Sequence, residues 1–227
     1  MGVIFMGSIS TLRRAVATFA VASCLHLSAH AQLIPGYSDD VRAYDPREVA
    51  QLPNFCKHTQ EFRERVPGGG DSQQIDNWQA VLGPMYQHLH HYCWGMMKAT
   101  RGMVMARTEI ARYHYLNDAV REYDYVIERS PQDFVLLPEV LSRKGQALVR
   151  LGKGPSAIVS FERAIDLKPD YWPPYAYASD YYKELGEVQL AKEVLERGLS
   201  SAPNTSALQR RLTELSGRTA TRKTSKQ

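Results

Sequence analysis

Apolar side chains return every three or four residues along much of this chain, the interval that gathers them on one face of an α-helix. Trp78, Leu82, Met85, Leu89, Tyr92 and Met96 form one such stripe. It predicts an amphipathic helix running roughly from Gln73 to Lys98, capped by Asp71 or Ser72 and kinked or broken at Gly83-Pro84. Leu208, Leu212 and Leu215 form another stripe, on a helix from Ser206 to Ser216 whose other face is polar. Ahead of the first stripe the pattern is interrupted. Gln32 to Pro53 carries Pro35, Gly36, Asp39, Asp40 and Pro46 and reads as an extended arm with short turns. Pro53 to Val66 is expected to hold a short helix with Cys56, His58 and Phe62, and Pro67-Gly68-Gly69-Gly70 ends it.

Between the two stripes the chain repeats itself. Residues 138–171 and 172–205 align at a period of about 34. In the first, Gly145, Leu148, Gly152, Ala157, Phe161, Ala164 and Pro169 fall in order. In the second, Tyr175, Ala178, Tyr182, Gly186, Ala191, Leu195, Gly198 and Pro203 take equivalent or near-equivalent places. Small residues at Gly145 and Ala157 let two helices cross closely, and Gly152 suits a turn, where glycine takes a left-handed backbone at little cost. Phe161 and Leu195 are expected to fill the space between units, and Pro169 and Pro203 to stop the second helix of each.

This spacing resembles the tetratricopeptide repeat (TPR) family. The resemblance implies an all-α fold, a TPR-type helical-hairpin solenoid with an irregular and partly helical N-terminal capping segment. Residues 100–133 match less fully: Ile110, Ala119, Tyr123 and Pro131 fit, while Leu116-Asn117-Asp118 replaces the turn glycine. They are read as a degenerate unit. The expected organisation is then a processing segment over 1–31, a Cys- and His-containing cap over 32–99, and repeats over 100–205. A capping helix over 206–216 and a basic disordered tail over 217–227 complete it.

Charge refines this picture. The chain has 227 residues and a net charge of +4, but the excess sits at its ends. Arg13 and Arg14 have no acidic neighbour within residues 1–31, and Arg218, Arg222, Lys223 and Lys226 have none within 217–227. The body between is slightly acidic, which points away from nucleic acid as a partner. Arg13-Arg14 precedes the apolar run Ala15–Leu27, and Ser28-Ala29-His30-Ala31 carries the small residues of a cleavage site, so 1–31 reads as a secretory signal peptide. A second reading is open. Val21-Ala22-Ser23-Cys24 resembles a lipobox, in which Cys24 is lipidated. The expected location is the periplasm in the first case and a lipoprotein anchored to the membrane at Cys24 in the second; an uncleaved anchor is the third alternative.

Removal or lipidation of Cys24 leaves Cys56 and Cys93, and in an oxidising compartment the simple reading is a disulfide. Such a bridge is worth on the order of 4 kcal/mol in the chain-entropy account. Around Cys93 lies Gln87-His88-Leu89-His90-His91-Tyr92-Cys93-Trp94, in which His88 and His91 share a helix face. With Cys56, His58 and Cys93 added, these are ligand types for zinc or copper. A metal or redox role for Cys56, His58, His88, His91 and Cys93 is therefore an alternative to a bridged pair with packed histidines. No cofactor is called for, and no phosphate loop, nucleophile elbow, HExxH or CxxC motif is present. The chain reads as a binding protein rather than an enzyme. Leu52-Pro53-Asn54-Phe55-Cys56 and His90-His91-Tyr92-Cys93 also look similar to pieces of exported proteobacterial TPR proteins.

TPR units stack so that their first helices line a groove. The resemblance places Thr108, Arg112, Ser142, Gln146, Arg150, Asp180, Lys183 and Glu184 on that face. The set is mixed in charge. The lysine and asparagine of the family's carboxylate-clamp members are replaced by Ser142 and Gln146, so a chaperone tail is not the expected ligand. A mixed polar groove suits an extended peptide or a helix of another envelope protein. The cluster Tyr171, Trp172, Tyr175, Tyr177, Tyr181 and Tyr182 is expected mostly to pack between helices.

Overall fold

The computed structural model describes residues 1–2 and 44–224, with side chains described as far as Gly217. The segment read as a signal peptide, the rival lipidation site at Cys24 and most of the expected arm lie outside the described residues. Among the described residues there are helices and turns and no strands. The helices are α1 (Pro46–Val49), α2 (Ser72–Leu82), α3 (Leu89–Thr100), α4 (Glu109–Arg129), α5 (Leu137–Arg150), α6 (Gly154–Leu167), α7 (Pro173–Glu184), α8 (Val188–Ser201) and α9 (Ser206–Thr224).

The expected solenoid is formed by hairpins α3–α4, α5–α6 and α7–α8, with α9 packed on α8. Each boundary follows from local chemistry. Pro138, Pro155 and Pro173-Pro174 stand in the first turns of α5, α6 and α7, where the missing N–H costs nothing. Gly152 and Gly186 end α5 and α7 with φ of 72° and 81°. At each, two backbone bonds close a left-handed cap: Gly152 N to Val149 O and Lys153 N to Leu148 O, then Gly186 N to Lys183 O and Glu187 N to Tyr182 O.

The hairpins cross where one partner is small. Gly145 of α5 faces the ring of Phe161 on α6, and Gly95 of α3 faces the ring of Tyr123 on α4. In the third hairpin the sizes are exchanged, with Tyr175 of α7 lying on Gly198 of α8. Phe161, Leu195 and Tyr123 are all buried, as filling residues should be. Two apolar clusters result. One joins the N-terminal segment, α3, α4 and the first half of α5; the other joins the end of α5 to α6, α7, α8 and α9.

Three expectations change. Residues 100–133 are not a helix–turn–helix unit. After a wide turn at Arg101–Met105, α4 runs unbroken from Glu109 to Arg129, through Leu116-Asn117-Asp118. Without a glycine there, nothing stops the helix, and the first helix of that hairpin is supplied by α3 instead. The break expected at Gly83-Pro84 is present and divides the stretch 73–98 into two helices. Gly83, at φ 61° and ψ −154°, leaves the helical region, and Gly83–His88 forms a tighter turn before α3 starts. The short helix expected over 53–66 reduces to one turn at Cys56–His58. Thr59 is extended and Glu61 takes a left-handed φ of 69°, which no continuing helix allows. At the other end, the backbone of α9 continues past Ser216 to Thr224, into the stretch read as a tail.

Residues 44–70 form a strap laid on α3. Cys56 and Cys93 are joined by a disulfide with their Cα atoms 5.7 Å apart, closing a separation of 37 residues. Glu48 of α1 and Arg101, both buried, pair through two contacts of 2.7 Å. Tyr86 OH donates to His58 O at 2.6 Å, and Trp94 Nε1 donates to Tyr44 OH at 2.9 Å. The ring of Phe55 lies 6.4 Å from that of Tyr92, nearly parallel to it.

Candidate functional site

Helix α5 presents Gln146, Val149 and Arg150 on one side, three and four residues apart. Helix α7 presents Tyr177, Asp180, Tyr181, Lys183 and Glu184 toward the same space. With Met103 from the turn after α3 and Phe161 beneath, they enclose an open cavity of about 370 Å³. Its floor is aromatic: the rings of Phe161 and Tyr177 are 6.1 Å apart and tilted, and Tyr181 joins the lining. Its rim is charged. Asp180 accepts from Arg211 of α9 at 3.0–3.3 Å, which leaves that carboxylate partly neutralised.

Of the residues placed on the groove from sequence, Gln146, Arg150, Asp180, Lys183 and Glu184 meet here. Ser142 does not reach it. It is buried, and its hydroxyl donates to Pro138 O at 2.7 Å. Thr108 and Arg112 do not line it either. Thr108 caps α4 by accepting from Ala111 N at 3.1 Å, and Arg112 pairs with Glu109 at 2.8 Å. They were set on a first helix that does not exist; α3 occupies that place. Met103, Phe161 and the tyrosines were missed as lining residues. Tyr177 and Tyr181 were in view as members of the aromatic cluster, and only the packing separates them from Tyr175, which is buried and donates to Pro169 O at 3.0 Å.

The cysteine and histidine cluster is a joint rather than a pocket. The bridge occupies both thiols. His58, buried, donates from Nδ1 to Gly69 O at 2.8 Å and so closes the turn of the strap. His91 donates from Nδ1 to Glu122 Oε2 at 2.6 Å, and its ring stacks 3.6 Å above that of Tyr125. His88 Nδ1 lies 3.3 Å from Tyr125 OH. Each of the proposed metal ligands is thus engaged separately. No group of three or more His, Cys, Asp and Glu side chains is placed to hold a metal ion among the described residues. Glu122 also accepts from Lys98 at 2.5 Å; burial alone would raise its pKa, and the bonds from His91 and Lys98 hold it below the usual value. His90, buried against Trp94, is pushed down to about 4, first by burial and then by the charge of His91.

The groove lies on stacked helical hairpins, and comparison with known proteins identifies the repeat. The tetratricopeptide repeat profile matches residues 138–171 and 175–205, so the chain contains tetratricopeptide repeats. The chain is similar to the Protein STIP1 homolog of Dictyostelium discoideum, 30% identical over 93 residues, 41% of this chain and 16% of that protein. It is also similar to Hsp70-Hsp90 organizing protein 2 of Arabidopsis thaliana, 30% identical over 91 residues, 40% of this chain and 15% of that protein. The chain therefore spans only a small fraction of the length of these relatives. Among solved structures it resembles the TPR2AB domain–pHSP90 complex of yeast Sti1, with a TM-score of 0.46 and 18% identity over 70% of this chain and 57% of that one.

Proposed function

We propose that this protein is an exported scaffold that holds a segment of another envelope protein in the groove over α5 and α7. The observation that carries the reading is the open cavity whose polar rim, Gln146, Arg150, Lys183 and Glu184, belongs to repeat helices. Charged and aromatic groups held on rigid helices are suited to hydrogen bonding and stacking with an incoming chain. The relatives' names place similar repeats in an organiser of Hsp70 and Hsp90. Here Gln146 faces the groove and Ser142 is buried, in place of the clamp pair, which favours a partner other than a chaperone tail.

The proposed location rests on the sequence of residues 1–31, and the disulfide supports it, since such bridges persist in oxidising compartments. The test of function uses Arg150→Glu together with Lys183→Glu on the full chain. Partners cross-linked to the wild-type protein in the cell envelope should be lost, while the thermal transition stays put. Unchanged capture by the double variant would remove the groove from consideration. The intact mass of the mature protein tests location: it should begin at Gln32, or at a lipidated Cys24 in the alternative.

A further inference from the structure

The inner face of the repeats is already occupied over α3. Gly95 of α3 and Gly145 of α5 make the same crossing with the aromatic ring of the next helix, which fixes the register between the two helices. Met96 and Thr100 then stand to Gly95 as Gln146 and Arg150 stand to Gly145. Gln146 and Arg150 line the open groove. Met96 and Thr100 face the strap instead: with Leu52, Pro53 and Arg143 they line a cavity of about 310 Å³. Phe55 lies against Tyr92 one turn earlier, and Cys56 is bonded to Cys93 beside it. The surface is continuous, because Arg143, at the edge of the strap, is one turn before Gln146 on α5. The floor of the open part has the same character as the covered part, since Phe161, Tyr177 and Met103 offer aromatic and thioether surface as Tyr92 and Met96 do under the strap.

We propose that the open groove takes a partner segment that carries a proline two residues before an aromatic residue in a tight turn, in the manner in which α3 takes Leu52-Pro53-Asn54-Phe55 of this chain, where Cys56 N–H donates to Pro53 O at 2.9 Å. The strap is a built-in occupant, fixed by the disulfide, that claims the first hairpin's share of the face and closes the groove at that end. This inference rests on the groove reading above and adds the chemistry of the partner to it. An aromatic side chain brings large contact area at small conformational cost, and a proline pre-sets the backbone of a turn; both favour a short site with an aromatic floor.

The test uses the oxidised full-length protein and a fluorescein-labelled peptide of residues 50–58 carrying Cys56→Ser, read by fluorescence anisotropy. Saturable binding is expected. It should weaken on the order of tenfold when the peptide carries Phe55→Ala, and as much when the protein carries Met103→Asp, an exposed change that leaves helix packing alone. A scrambled peptide of the same composition binding equally well would overturn the inference, as would indifference to Met103→Asp in a variant with wild-type circular dichroism. If envelope partners are lost by the Arg150→Glu and Lys183→Glu double variant while the strap peptide fails to bind, the groove reading stands and this inference alone falls.

Discussion

Gly145→Ala puts the packing logic of the repeats under the sharpest strain. An alanine Cβ there would lie 2.7 Å from Cδ1 and 2.8 Å from Cζ of Phe161, inside the distance at which carbon atoms attract. Relief would need the whole ring to move: Phe161 is fully buried, and the ring of Tyr177 lies 6.1 Å away beside the groove. Two effects oppose each other. Alanine is favoured over glycine in a helix interior by about 1 kcal/mol. An extra carbon in a filled interior costs about 1–3 kcal/mol. Because the clash is with ring atoms rather than the end of a flexible chain, the cost is expected in the upper part of that range and the second to win, for a net loss of about 1–2 kcal/mol and a fall in Tm of about 2–8 °C. Thermal and urea denaturation of the oxidised protein would measure it. Phe161→Leu, itself destabilising, should cost less in the Gly145→Ala background than in the wild type, because it makes room for the new methyl. A Gly145→Ala protein as stable as wild type, or strictly additive costs in the double variant, would refute the close crossing of α5 and α6.

Removing the bridge with Cys56→Ala and Cys93→Ala should lower stability in urea by about 4 kcal/mol, given the separation of 37 residues it closes; identical midpoints for oxidised and reduced wild type would contradict its formation. Glu48→Gln should cost about 3–5 kcal/mol, because it removes the Glu48 charge from the buried Arg101 guanidinium, whereas Glu48→Leu with Arg101→Met should recover most of that; a loss below about 1 kcal/mol would mean that the charge of Glu48 is not what compensates Arg101. His90 predicts acid sensitivity. Its folded pKa of about 4 lies below the unfolded value, so the unfolded chain takes up the proton first and stability falls as pH drops from about 6.5 to 4, by roughly 3 kcal/mol in all. His90→Phe should flatten that part of the profile, and an unaltered profile would show the loss to come from elsewhere.

How much of this was open to a reader of the sequence follows from the range over which each cause acts. The repeats at 138–171 and 172–205 were legible because their determinants are local. Gly152 and Gly186 end helices by their own backbone, prolines start and stop them, and the Gly145–Phe161 pair lies within one unit. The cysteine pair was legible from the count of thiols. The first hairpin was not. Tyr123 was recognised as its second-helix aromatic, but its small partner, Gly95, is separated from it by the turn at 101–105 and the first turns of α4, and no fixed period reveals that pairing. The groove shows the same division. The resemblance to the repeat family put Gln146 and Arg150 of α5 and Asp180, Lys183 and Glu184 of α7 on the groove, and they do meet there. Which tyrosines are floor and which are core depended on what α6 and α8 place behind them. That Thr108 and Arg112 lie off the groove, and that the strap covers α3, depended on contacts between residues dozens of positions apart. A sequence records the propensities that end a helix or stripe its face; it does not record which faces meet, because that is settled only when the whole apolar surface finds the arrangement that buries it.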